Sequence, residues 1–174
     1  TAKGYSLFRT VSALFNYRDL MSYDASIPYM RDVWLPGIHI MAAREKEGTD
    51  RGLYLAAKGG HNNESHNHND VGQFIVYSDG MPVIIDPGVE QYTAKTFSKQ
   101  RYELWTMQSS FHNLPTVNGV QQQNGGEFKA SDVHYSAEDN MVEFALDITA
   151  AYPEAAGIDC WRRTFRFYRG EAPC

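Results

Sequence analysis

The dipeptide Asp79-Gly80 stands between two apolar runs, residues 73–78 and 81–85, and this feature limits the fold more than any other. Gly accepts a positive φ without steric cost, so an Asp-Gly pair between apolar runs predicts a tight antiparallel hairpin. Asp86-Pro87-Gly88 then ends the second strand. The same texture recurs along the chain. Ile38, Ile40 and Ala42 alternate with His39 and Met41, and residues 52–58 run into Gly59-Gly60. Residues 114–117 lead into Asn118-Gly119, residues 121–127 read as a polar turn, and strands are expected at 129–135, 141–148 and 161–168. Many short strands separated by frequent turns predict a mainly β protein, an antiparallel β-sandwich of jelly-roll-like character.

The first 35 residues differ. Leu7, Phe8, Val11, Leu14, Phe15 and Leu20 fall at helical spacing over residues 6–21, and Pro28 and Pro36 punctuate an irregular connection after them. Residues 1–35 therefore read as a short helical junction, a linker or the end of a preceding domain, and residues 36–174 as the sandwich. The chain starts at Thr1 and ends Gly170-Glu171-Ala172-Pro173-Cys174, which reads as a piece of a longer protein. Residues 89–111 form a long polar, aromatic connection with a helical turn expected near 98–104. A connection of that length in a β domain predicts a functional loop or lid.

Charge narrows the ligand classes. With 16 Lys and Arg against 21 Asp and Glu, the formal net charge is -5, which argues against nucleic acid as a partner but not against a locally bound anion. Eleven Tyr, nine Phe and three Trp suggest that some aromatic side chains line a groove as well as a core. Cys160 and Cys174 can pair, but two cysteines build no framework and no zinc-thiolate site. No apolar run reaches membrane-spanning length, and neither a signal peptide nor a membrane partner is expected from these residues.

Chemistry concentrates in His61-Asn62-Asn63-Glu64-Ser65-His66-Asn67-His68-Asn69-Asp70. If this segment enters a strand, residues 66, 68 and 70 share one face. Two imidazoles then converge on one divalent ion, and Asp70 accepts a ring N–H in support, as carboxylates behind metal-bound histidines do. Asp86, at the end of an apolar strand, and His112 add donors of the type zinc prefers. Each has an ordinary explanation when taken singly: polar loop residues for the histidine pair, a turn initiator for Asp86, and a hydrogen-bonded, partly buried histidine for His112.

Gly59-Gly60, SHNHNDVGQFIVYSDG (65–80), IIDPG (84–88) and FHNLPTVNG (111–119) together resemble the C-terminal β-sandwich domain of the heparinase II/III-like polysaccharide lyases. The resemblance covers about residues 34 to 150. It implies an α-helical toroid before the sandwich, with residues 1–35 as the junction and the toroid's own catalytic residues without counterpart here. It also implies zinc held by His68, Asp86 and His112, and His66 facing the substrate cleft in a catalytic or carboxylate-neutralising role. Tyr92, in Glu90-Gln91-Tyr92-Thr93, matches a catalytic acid/base, with Tyr102 close by in sequence. The implied substrate is a uronic-acid-containing glycan, heparin/heparan-sulfate-like or alginate-like, and the implied location is periplasmic or secreted.

Lyases of this kind work by β-elimination. The C5 proton is weakly acidic until the adjacent carboxylate is neutralised, so a site needs charge or hydrogen bonds there, a base for C5 and an acid for O4. His suits these parts because its pKa lies near neutrality. Glu64, Asn67 and Arg101 are the expected substrate contacts, Arg101 through charge-assisted bonds to a uronate. Trp105 and Phe111 are expected to pack in the loop rather than stack on sugar. Arg162, Arg163 and Arg166 are expected on one exposed strand face. Two rivals remain: a carbohydrate-binding module without catalysis, and a cupin-like metal enzyme with His-x-His on a barrel strand.

Overall fold

The Asp79-Gly80 turn forms as the sequence requires, with φ of 50° and 74°. The computed structural model describes residues 6–23 and 27–170. The strands are β1 (Asp32–Leu35), β2 (Ile40–Arg44), β3 (Leu53–Lys58), β4 (His61–Asn62), β5 (Phe74–Ser78), β6 (Met81–Ile84), β7 (Gly125–Lys129), β8 (Ser131–Ala137), β9 (Met141–Asp147) and β10 (Arg162–Tyr168). They form a five-stranded sheet in the order β1-β2-β3-β5-β6 and a three-stranded sheet β10-β9-β8. A two-stranded ribbon pairs β4 with β7. Every pairing is antiparallel.

The two larger sheets pack face to face because each strand alternates. Met41, Ala43, Leu55 and Ala57 turn inward from the five-stranded sheet, and Val142, Phe144, Leu146 and Phe167 meet them from the other. Phe74 and Phe165 touch across the layers, with ring centroids 5.3 Å apart. The antiparallel β-sandwich expected from the sequence is the fold observed.

Several local expectations need correction. The sandwich begins at Asp32, inside the segment assigned to the junction, so the boundary moves from residue 35 to before residue 32. Trp34 of β1 points into the core, stacked on Tyr135 at 4.8 Å and tilted against Phe144 at 5.6 Å. The side chain of Asp32 binds Arg31 and Arg169. A four-residue strand between prolines carries too short a pattern to be read. Residues 114–117 make no strand, only the isolated bridge Val117–Val120. The turn expected at 121–127 gives way at Gly125 to β7, which is recruited by pairing with β4.

The predicted N-terminal helix is two: α1 (Leu7–Phe15), capped by the Ser6 side chain, and α2 (Tyr17–Ser22). No residue of either is buried. Residues 95–111 hold four short 3-10 turns, Lys95–Phe97, Arg101–Glu103, Trp105–Met107 and Ser109–Phe111, instead of one. Arg163 does not share the exposed face of Arg162 and Arg166. The strand period turns it inward, where it donates to the carbonyls of Gly72 at 2.7 Å and Asn113 at 2.9 Å. Burial pulls its guanidinium pKa down. Cys160 is exposed, and Cys174 lies outside the described residues. No helix among the described residues is long and apolar enough to cross a membrane.

Phe144 is fully buried at the centre of the inter-sheet contacts. Phe144→Ala is expected to lower unfolding free energy by about 3–5 kcal/mol, read from urea melts. A change under about 1 kcal/mol would place the core elsewhere.

Candidate active site

Beyond β4, the backbone leaves the ribbon in a series of turns, and His66 sits in the left-handed region at φ 57°. Residues 66, 68 and 70 therefore do not share a strand face, and His66 and His68 are not a joint ligand pair on one strand. The cupin-like reading, which needs that pair on a barrel strand, loses its geometric basis. The expected strand fails because buried amides set the course of this segment instead. Asn62, Asn67 and Asn69 are all buried. Arg101 donates from Nε and Nη2 to the Asn67 carbonyl at 3.0 and 2.8 Å, and from Nη1 to the Thr96 carbonyl at 3.0 Å. On the other side, Gln122 Oε1 accepts from Asn62 Nδ2 and the Val71 N–H, both at 3.1 Å, while its Nε2 donates to the Val71 carbonyl at 2.8 Å.

His68 faces a cluster with His112 and Asp86. The His68 and His112 rings lie 5.4 Å apart. His112 Nδ1 is 2.7 Å from Asp86 Oδ2, and Gln73 Nε2 donates to that same oxygen at 2.7 Å. Asp86 Oδ1 accepts the Gly88 N–H at 2.8 Å. Burial pushes the Asp86 carboxyl pKa up, but the His112, Gly88 and Gln73 bonds outweigh it and hold the pKa below its ordinary value. Burial lowers the His68 pKa, helped by His112 and Arg101 and opposed by Asp70 and Asp86. The His112 side chain is fully buried, yet its Nε2 has no hydrogen-bond partner. Two imidazoles and a carboxylate are zinc-type donors, and an unpartnered buried ring nitrogen is what a ligand position leaves without its ion. Among the described residues, no three His, Cys, Asp or Glu side chains are close enough to form a ligand set as they stand.

His66 is engaged by Tyr92. Its Nδ1 is 3.5 Å from the Tyr92 hydroxyl, and the two rings stack at 6.0 Å with planes 11° apart. Phe97 meets Tyr92 edge-on at 5.5 Å. Tyr102 instead receives a bond at its hydroxyl from Asn67 Nδ2, so Tyr92 is the tyrosine beside His66. A cleft of about 340 Å³ opens along Lys58, His66, His68, Asp86 and Val89. A second, of about 400 Å³, opens along Phe97, Ser98, Arg101 and Tyr102. Glu64, His66 and Asn67 line both and form the ridge between them.

The remaining expected site residues have structural attachments. Asp70 pairs with Lys58, and no histidine ring bonds it among the described residues, so the expected tautomer-fixing contact is absent. Glu64 pairs with His61 at 3.4 Å. Arg101 lines a cleft, but all three of its guanidinium nitrogens bond loop carbonyls. Trp105 and Phe111 pack edge-on at 5.3 Å, as expected of loop packing. Sequence reasoning missed Lys58, Gln73 and Gln122, and placed Arg163 on an exposed face. A glutamine inside the apolar run around Gln73 was the one available signal, since a buried amide there requires partners.

A two-layer antiparallel sandwich with a histidine-aspartate cluster and a histidine-tyrosine pair along one cleft defines a β-sandwich domain with a rim site suited to proton transfer. The chain belongs to the heparinase II/III-like C-terminal family, which it matches over residues 32–172. It is similar in fold to heparan sulfate lyase HepC from Pedobacter heparinus, with 16% identity and a TM-score of 0.59 over 93% of this chain. A mutant of that lyase gives 16% identity and a TM-score of 0.60 over 94%. The chain spans 24% of the length of each. Curated proteins yield no match.

The shifts at His68 and Asp86 fix the sign of one prediction. His68 prefers its neutral form in the fold, so the unfolded chain binds the extra proton as pH falls below the ordinary value of 6.5. Asp86 adds a second loss around and below its ordinary 3.8. Metal-free protein is expected to lose melting temperature on acidification from pH 7.5 to 5, and His68→Asn to show a shallower slope there. Parallel slopes would remove His68 from the pH response.

Proposed function

We propose that this chain is the β-sandwich part of a polysaccharide lyase that cleaves uronic-acid-containing glycans, heparan-sulfate-like or alginate-like, by β-elimination. The observation that carries the reading is the His66–Tyr92 contact at a cleft rim in a chain of the heparinase II/III-like family. In elimination the C5–H bond breaks, its electron pair forms the C4=C5 double bond, and the C4–O4 bond breaks as O4 takes a proton. A hydroxyl and an imidazole in contact can divide those two proton transfers. Lys58, paired with Asp70, borders the same cleft, and its ammonium retains N–H donors that a uronate carboxylate could take. Metal chemistry is not required for this step.

His68, Asp86 and His112 are the residues proposed to hold a divalent ion, most simply zinc. When bound, the ion would tie the loop of His68 to those of Asp86 and His112 and so stiffen one wall of the cleft. A preceding α-helical domain of the same protein would supply the other wall. A glycan substrate outside the cell agrees with a periplasmic or secreted location.

In the full-length protein, Tyr92→Phe and His66→Ala are each expected to lower kcat about 10²–10⁴-fold, followed through the absorbance of the unsaturated product on heparan sulfate and alginate. Glycan binding by the wild type without any unsaturated product would replace the lyase by a binding module. Metal analysis of this chain separates the two histidines. His68→Ala is expected to lose bound zinc and loop protection in hydrogen exchange, and His66→Ala to keep both. Equal loss in both variants would end the division of roles.

A further inference from the structure

The outward face of the five-stranded sheet is built as three cross-strand rows. Arg44, Tyr54 and Tyr77 stand opposite one another in register on β2, β3 and β5. The next row is Ala42, Ala56 and Ile75, and beyond it Ile40 faces Lys58. Directly paired residues of an antiparallel sheet share a face, so these rows lie side by side on one surface. The middle row carries two alanines between taller neighbours, which leaves a trough. Its floor is shared at both ends: Ala56 and Ile75 line the histidine cleft, and Ile75 also lines a third cleft of about 350 Å³.

That third cleft is bordered by Tyr29, Arg44, Asp50, Tyr54 and Tyr77. The Arg44 guanidinium lies 4.5 Å from the Tyr29 ring centre and 4.8 Å from that of Tyr54. Its Nε donates to the Met30 carbonyl at 2.9 Å and its Nη1 to the Thr49 carbonyl at 3.3 Å. Two tyrosine rings and bonds from two of its three nitrogens thus hold it, and Nη2 makes no hydrogen bond among the described residues. Tyr77 packs edge-on against Tyr54 at 6.1 Å. An immobilised cation, an exposed carboxylate and several aromatic rings over an apolar floor are complementary to an acidic sugar. The rings take its C–H faces, Arg44 its carboxylate or sulfate, and Asp50 its hydroxyl protons.

We propose that the Tyr29–Arg44–Tyr54–Tyr77 cleft is a distal subsite for an acidic sugar unit of the same glycan chain whose reacting bond lies at His66 and Tyr92. This rests on the lyase reading above. Four residue steps along β3 set Tyr54 of the subsite about 13 Å from Lys58 in the histidine cleft. A long oligosaccharide spans that trough, and a disaccharide in the histidine cleft does not.

The test compares a disaccharide and an octasaccharide, fractionated from partly digested heparan sulfate and from alginate, by calorimetric titration of the full-length protein carrying Tyr92→Phe, so that binding is read without appreciable cleavage. The octasaccharide is expected to bind more tightly. Arg44→Gln and Tyr77→Ala are each expected to raise its Kd about tenfold or more, the scale of one charge-assisted or stacking contact, and to leave the disaccharide Kd unchanged. Should Arg44→Gln prove misfolded by its melting curve, Tyr77→Ala decides. Equal affinity for the two lengths, or variants that weaken both alike or neither, overturns the subsite while leaving the lyase reading intact. A full-length protein that binds neither glycan at either length overturns both.

Discussion

The rim site depends on a buried amide having its partners. Gln122 lies almost completely inside the protein, and its side chain is saturated by Val71 on both backbone polar groups and by Asn62. A primary amide left unsatisfied at such depth costs about 1–3 kcal/mol per group. This network therefore admits one loop path much more readily than any other. That path carries the chain from β4 to β5 in turns rather than as strand. Arg101 closes it from the outside by binding the Asn67 carbonyl and the Thr96 carbonyl together. The long segment between β6 and β7 is thus a clamp on the histidine loop as well as a rim of aromatic side chains.

The same matching of partners organises the acidic side of the site. Gln73 begins the run into β5 and binds Asp86 through its N–H while its oxygen accepts the Asn113 N–H at 2.7 Å. Asn113 in turn donates to carbonyls of Phe74 and Ile85, both at 2.9 Å. One short relay of amides therefore ties together the start of β5, the end of β6 and the segment bearing His112. Asp86 is held ionised in a half-buried place because each of its oxygens already has a donor. His68 is exposed to the opposite pressure, since burial without a strong acceptor favours the neutral ring.

This contrast explains which features were legible in the sequence and which were hidden. The hairpin at Asp79-Gly80 was legible because φ preference is local and two residues settle it. The longer strands were legible because alternation over five to seven residues is a local signal as well. The chemistry of His68, Asp86 and His112 was visible as residue type, and their proximity as a family resemblance. The relation between His66 and His68 was not legible from spacing. Period-two reasoning holds only inside a strand, and whether residues 63–72 form one is decided by Gln122 and Arg101, some 50 and 35 positions away. Arg163 shows the same limit from the other side. Its strand was anticipated, but the polar carbonyls of Gly72 and Asn113 that let a guanidinium face inward belong to distant loops.

His66 is the point at which these constraints meet. A non-glycine residue in the left-handed region costs about 1–2 kcal/mol relative to ordinary backbone, and that cost has to be met by the contacts around the turn. Among these, the neighbouring Asn67 carbonyl is fixed by two guanidinium bonds whose geometry follows from the turn. The left-handed turn at His66 accompanies a segment in which His68 lies beside His112 and His66 beside Tyr92. Arg101 fixes the carbonyl of the residue that follows His66, so it belongs to the framework of this loop, whatever charge it also presents to a ligand.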